Sequence, residues 1–118
     1  MAQTFEQRLA LLGKDSIARQ LAHIQRGIEK ESLRISPDGR LAQTPHPACL
    51  GSTLTNRYIT TDYSEALLEF ITPPQQSVDA MLAQLDEIHR FTYRCLDDEL
   101  LWTASMPCVL QGDEHIPL

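Results

Sequence analysis

Four carboxylates carry most of the chemistry that this sequence could perform. Glu29 and Glu31 stand two apart in "GIEKESLRI", and Asp62 and Glu69 lie in "RYITTDYSEALLEFIT", where Glu69 is held between Leu68 and Phe70. Residues 27–35 alternate as a strand would, so Glu29 and Glu31 share a face with Leu33 and Ile35. Same-face neighbours on a strand lie about 6.6 Å apart, and two ionised carboxylates at that distance repel by roughly 2.5 kcal/mol at an effective dielectric near ~20. Protonation of one acid, pairing with Arg or Lys, or a bound divalent cation would each relieve that repulsion. If the two stretches lie side by side in one sheet, all four acids converge on one face. Such an oxygen-only donor set suits Mg2+ or Mn2+, hard ions that keep water and bridge to substrate phosphates. The plainer reading stays open beside this one: on spacing alone, acids more often sit on a solvated or edge face, here with Arg26, Lys30 and Arg34 nearby.

Other chemistry-bearing residues carry less. Paired carboxylates could serve glycoside hydrolysis, but nothing else in the chain resembles a sugar cleft. His46 and Cys49, in His-Pro-Ala-Cys, have zinc-like spacing without a second ligand pair, which favours a loop histidine and a small apolar cysteine. His89 falls at the edge of a helical stripe, at a core boundary, and His23 and His115 carry no signal. Trp102 and Met106 read as packing residues. Neither a phosphate-binding Walker loop nor a G-x-S-x-G elbow is present.

The elements that must position the acids are legible from pattern. Thr4 with Gln7 forms a capping-box signature ahead of Phe5, Leu9 and Leu12, and Asp15 or Ser16 can cap a second helix that buries Ile17, Leu21 and Ile24. These helices, over about 4–22, are expected to pack on the sheet that follows. Ser36-Pro37-Asp38-Gly39 supplies a turn between the first strand and Arg40-Leu41-Ala42. Residues 43–56 read as loop, and 57–61 and the end of 64–72 as strands, which places the sheet region at about 25–72. Ser77 caps a long helix, about 78–99, with Val78, Met81, Leu82, Leu85, Ile88, Thr92, Cys95 and Leu96 on one stripe. The tail, 100–118, reads as loop with a short strand around Cys108 to Leu110.

Composition sets the outer limits. The 118 residues, 42% apolar and 22% charged, fit one globular domain or a piece of one, and a net charge of −6 argues against nucleic acid or an anionic membrane surface as partner. Three cysteines without a C-x-x-C pair, and no apolar leader of the signal-peptide kind, read as a reduced, cytoplasmic protein. The ending "QGDEHIPL" reads as a chain cut off within a longer protein.

Taken together, "RGIEKESLRISPDGRLAQTPHPACLGSTLTNRYITTDYSEALLEFITPP", the long helix and "SMPC" resemble the N-terminal part of bacterial glutamate–cysteine ligase (γ-glutamylcysteine synthetase) of the proteobacterial type. The specific parts are Arg26-Gly27-x-Glu29-x-Glu31, the block from Thr60 to Glu69 with its Thr72-Pro73 ending, and Ser105-Met106-Pro107. Thr103-Ala104 departs from the family, where a proline is expected. The resemblance implies an α+β fold, the N-terminal part of a glutamine-synthetase-like, curved and mostly antiparallel sheet with packing helices. It implies ATP-dependent joining of the L-glutamate γ-carboxylate to L-cysteine through γ-glutamyl phosphate, the first step of glutathione synthesis. By position, Glu29, Glu31, Asp62 and Glu69 resemble the sheet acids that hold Mg2+ (or Mn2+), Glu65 is a further candidate, and no catalytic residue is assigned beyond these ligands. Residues 1–118 would then be an N-terminal fragment of a single catalytic domain, inactive alone, with an exposed edge or apolar patch where the remainder packs. The alternatives are a non-catalytic cation-binding or interaction module derived from this family, and a related carboxylate–amine ligase with another amine acceptor.

Overall fold

The computed structural model describes residues 2–118. Two short helices, α1 (Phe5–Leu12) and α2 (Asp15–Ala22), lead into strand β1 (Glu29–Ile35), followed by β2 (Ile59–Thr61), β3 (Leu67–Ile71), helix α3 (Val78–Tyr93) and the two-residue β4 (Leu100–Leu101). The strands form one sheet in the order β2-β3-β1-β4, every neighbouring pair antiparallel. An α+β fold with an antiparallel sheet is thus present, with α3 behind it.

The β1–β3 register fixes everything else on the sheet. Glu31 stands opposite Glu69, with Lys30 opposite Phe70 and Ser32 opposite Leu68. Because side chains alternate, Glu29, Glu31, Leu33 and Ile35 share one face with Leu67, Glu69 and Ile71, and Lys30, Ser32 and Arg34 point with Leu68 and Phe70 to the other. Pairing continues beyond the strand ends through Arg26 and Gln75, whose backbones exchange hydrogen bonds of 2.9 and 2.8 Å. Between this bridge and the strands, the Thr72 hydroxyl accepts from the Ile28 N–H at 2.8 Å. Gly27 permits this approach, since a Cβ there would stand 3.1 Å from the Thr72 carbonyl oxygen.

The α3 side of the sheet holds the main core: Leu50, Ile59, Leu68, Phe70, Ile88, Cys95, Leu96 and Leu101. Leu68 and Phe70 are wholly buried, each stabilising the fold by roughly 2–3 kcal/mol. Ser77 caps α3 through the Ala80 N–H, as its position suggests, but the helix ends at Tyr93, short of the expected 99, because Arg94 to Leu96 turn away and Asp97 takes a positive φ of 51°. Val78 and Leu82, expected on the buried stripe, stay half-exposed. His89 sits at the core boundary, its ring 4.7 Å from that of Phe70 in an edge-on contact.

The leading helices differ from expectation. The Thr4–Gln7 capping box is present, but α2 is N-capped by Lys14 without a side-chain bond, and neither helix buries a residue. They pack chiefly on each other, leaving Phe5, Leu9, Leu12, Leu21 and Ile24 exposed instead of seated on the sheet. Met106, expected to pack, is 75% exposed, and around Cys108 to Leu110 there is only a single bridge, Val109 to Arg40. The turn at Gly39 forms as expected, with φ +82° and the Asp38 carboxylate accepting from Ser36 Oγ at 2.5 Å.

Two cross-links tie the periphery to the sheet. Arg34, wholly buried, donates from Nη1 to Glu99 at 2.7 Å and from Nη2 to the Thr44 carbonyl at 2.8 Å, while the Thr44 hydroxyl bonds the same carboxylate. Cys49 and Cys95 form a disulfide with Cα atoms 5.4 Å apart, correcting the expectation of reduced cysteines and of Cys49 as a small apolar residue. Fold, not spacing, brings these two together across 46 residues, and closing a loop of that length stabilises by about 4 kcal/mol in the chain-entropy account. Cys108 remains a buried free thiol.

Glu99→Gln removes the carboxylate from a guanidinium that has no access to water, and should lower unfolding free energy by about 3 kcal/mol in urea titration. The exposed Arg90–Asp86 pair, tested by Asp86→Asn, should leave the midpoint unmoved.

Candidate metal-binding face

The sheet places four of the five predicted site residues on one face. Glu29 and Glu31 come from β1 and Glu69 from β3 directly opposite Glu31. Asp62 follows β2, where Thr60 pairs with Glu69 and the Asp62 N–H reaches the Leu67 carbonyl at 3.2 Å, so the alternation that faces Thr60 towards Glu69 faces Asp62 the same way. Three strands therefore deliver acids to one face.

Glu65 does not join them. Its carboxylate accepts from the His46 backbone N–H at 3.1 Å and its own carbonyl accepts from Arg34 Nη2, so it braces the 43–56 loop. The tight turn before β3, in which the Leu67 N–H bonds the Ser64 carbonyl, turns Glu65 away from the strand that carries Glu69. Sequence spacing could not separate Glu65 from Glu69, because four residues apart on an unresolved turn-or-strand segment leaves the facing undetermined.

Electrostatically the other three acids act on Glu69. Glu69 is half-buried and its carboxyl is raised above the ordinary range, first by partial burial and then by Glu29, Asp62 and Glu31. Glu29, Glu31 and Asp62 are exposed, as the solvated reading expected. The cations invoked in that reading are engaged elsewhere: Arg26 donates to the Ile24 and Gln76 carbonyls, Lys30 to Ser32 and over the Phe70 ring, and Arg34 to Glu99. Lys30, on the α3 side, is held below its usual range by burial. Among the described residues none of the four acids enters an ion pair.

No three His, Cys, Asp or Glu side chains among the described residues stand close enough together to grip a metal ion as they are. The donor chemistry nonetheless fits a hard divalent cation: carboxylate oxygens only, unpaired, on one face, with a mutual repulsion that a cation would remove. Beside Glu31 a cleft of about 430 Å³ runs between Leu33, Leu67, Trp102 and Met106. Trp102 is anchored there by its indole N–H, which donates to the Met106 carbonyl at 2.6 Å. Sequence reading gave this segment no part in a site beyond the Ser105-Met106-Pro107 resemblance, since its approach to Glu31 depends on β4 pairing, a strand too short to leave a pattern. A hollow of about 280 Å³ between Arg40 and His115 includes none of the acids.

A family model described as glutamate–cysteine ligase matches residues 9–118. This chain belongs to the glutamate–cysteine ligase family. It is 55% identical over its full length to the glutamate–cysteine ligase of Azotobacter vinelandii and 58% identical over 96% of its length to that of Alcanivorax borkumensis. It spans 22% of each of these relatives, and in them corresponds to one part of a much longer enzyme. Among solved structures it is similar to the Francisella tularensis glutamate–cysteine ligase in complex with AMP, with a TM-score of 0.76 and 42% identity over 80% of this chain and 19% of that one. It also resembles a bifunctional glutathione synthetase from Pasteurella multocida, with a TM-score of 0.78 and 37% identity over 94% of this chain and 14% of the other. The fold is that of these glutamine-synthetase-like ligases. Among the described residues no helix is long and apolar enough to cross a membrane.

Because the Glu69 carboxyl is raised in the folded state, the folded chain binds its proton more tightly than the unfolded chain does. The resulting penalty is absent below the ordinary carboxylate range and fully present above the raised value. The Tm gain from Glu69→Gln should therefore be larger at pH 7 than at pH 4, and saturating Mg2+ at pH 7 should raise the wild-type Tm without moving that of the variant. Equal gains at both pH values would contradict the electrostatic origin.

Proposed function

We propose that this chain forms the cation-holding part of an ATP-dependent ligase that joins the γ-carboxylate of L-glutamate to the amine of L-cysteine, giving γ-glutamylcysteine at the start of glutathione synthesis. The observation that carries the reading is the unpaired four-acid face, set in a chain whose relatives are glutamate–cysteine ligases. In it, Glu29, Glu31, Asp62 and Glu69 hold Mg2+ or Mn2+, and Glu65 holds the frame. Phosphoryl transfer from ATP to the glutamate carboxylate brings two anions together and leaves ADP, and the cysteine amine then attacks γ-glutamyl phosphate, forming the amide bond and expelling phosphate. When bound, the cation would offset that charge and stabilise the transferring phosphoryl group. The residues of this chain hold negative charge on one face of the sheet, so that a cation drawn there would lie where the substrate charge has to be offset. Nucleotide use is supported by the AMP complex of the Francisella relative. The cleft between Leu33, Trp102 and Met106, next to Glu31, is suited to the non-polar part of a small substrate.

The remaining length of the relatives would supply the groups that these residues lack, among them basic side chains for phosphate, and would cover the exposed apolar stripe of Phe5, Leu9 and Leu12. The purified chain alone is thus expected to form no dipeptide.

A chimera in which this chain replaces the matching segment of the Azotobacter relative tests the reading directly. It should release ADP in the presence of glutamate and cysteine at a rate within about tenfold of the parent, and Glu29→Gln or Glu69→Gln within it should lower turnover by roughly 10²-fold or more and raise the Mg2+ requirement. An active chimera indifferent to both substitutions would sink the assignment of the acids.

A further inference from the structure

The disulfide between Cys49 and Cys95 has two unequal ends. Cys49 lies exposed in the short 3-10 turn Ala48–Leu50, whereas Cys95 is 8% exposed and packs into the main core just past the C-terminus of α3. From Cys49 the loop runs to β2 through a chain of specific contacts. The Asn56 amide donates to the Leu50 carbonyl at 2.9 Å, its oxygen accepts from the Tyr58 and Ile59 N–H groups at 3.0 and 3.2 Å, and the Thr60 hydroxyl donates to the Thr53 carbonyl at 3.1 Å. Strand β2 is a three-residue edge strand bonded only to β3, so by itself it is weakly held, and it is the element that delivers Asp62.

We infer that the Cys49–Cys95 disulfide is a thiol-exchange site at which small-molecule thiols are linked to Cys49, and that its opening loosens β2 through the segment 49–56 that leads into it. A thiolate attacks the Sγ of Cys49, the more exposed residue of the pair, the Sγ–Sγ bond breaks, and Cys95 leaves with the electron pair and takes the proton that the attacking thiol lost. A second thiol attacking the mixed disulfide gives the free Cys49 thiol and the small-molecule disulfide: two thiols are oxidised and one protein disulfide is reduced. Attack at Cys95 is hindered by burial. The Cys95 thiolate is a poor leaving group, because it forms in an apolar surround beside the negative end of a helix. Exchange is therefore slow and confined to one sulfur. The cation face is coupled to this site through β2, while the β1–β3 pair that carries the other three acids is not.

The test uses the chain with L-cysteine and cystine as the probe, followed by acid quench, peptide mapping by mass and amide hydrogen exchange. Expected are a disulfide in chain purified without reductant, a cysteinyl adduct on the Cys49 peptide at intermediate cysteine:cystine ratios, and exchange at Ile59, Asp62 and Ile71 at least tenfold faster once the bond is open, with α3 amides unchanged. Cys49→Ala should show the same faster β2 exchange without any response to cysteine. Two free thiols at these positions in the unreduced chain, an adduct on Cys95 instead of Cys49, or β2 exchange that does not change on opening would each overturn the inference. So would acceleration of α3 to the same extent, which would make the bond a global staple.

Discussion

The pairing of Glu31 with Glu69 across the β1–β3 ladder is the constraint on which the rest of the structure turns. Directly opposed side chains in an antiparallel pair have Cβ atoms about 5 Å apart, a place where like charges cost stability. The register cannot slip to avoid this, because moving β1 by one residue would carry Leu33 and Ile35 off their face and Arg34 out of its bonds to Glu99 and Thr44. The apolar core behind the sheet thus pins a repulsive pair in front of it. Leu68 and Phe70, wholly buried on either side of Glu69 in sequence, are the residues that hold it there. Stability gained on one face of β3 is what allows charge to be concentrated on the other.

The basic residues reinforce this separation. Lys30 and Arg34 alternate with the acids along β1, and the same two-residue period that gathers the carboxylates sends both cations to the α3 side. Arg26, just before Gly27, is taken up by backbone carbonyls. The face is left with uncompensated negative charge in a chain that has more than enough Arg and Lys in sequence to neutralise it. In the ligase reading this is useful. A cation held by unpaired, mutually repelling oxygens is bound at the position where charge must be offset, and no side-chain cation competes for the same oxygens.

Much of this was legible in the sequence because it follows from period. The alternation in "GIEKESLRI", the Ser-Pro-Asp-Gly turn, the Ser77 cap and the Met81, Ile88 and Thr92 part of the α3 stripe each have a local physical cause, and each appears. The convergence of Asp62 and Glu69 with Glu29 and Glu31 was conditional on the strands lying side by side, and the sheet order meets that condition. What pattern could not show were the contacts made by distant segments. The Cys49–Cys95 bond, the hold of Glu99 on Arg34, and the two-residue β4 that brings Trp102 beside Leu33 all join residues whose partners carry no periodic signal. Glu65 and Glu69 parted for a related reason, since the turn at Ser64 to Leu67 decides which carboxylate faces the sheet's acid side. The apolar spacing in α1 and α2 marks amphipathic helices correctly but does not say what covers them.

The claim that the four carboxylates form one electrostatic unit awaiting a cation is tested most directly by following the Glu69 side-chain carboxyl with carbon-13 NMR during a pH titration. The account predicts a midpoint above the ordinary glutamate range in the metal-free chain, a fall towards that range in the Glu29→Gln, Glu31→Gln double variant, and a fall in the wild type when Mg2+ is added. An ordinary midpoint that neither the substitutions nor Mg2+ moves would contradict it.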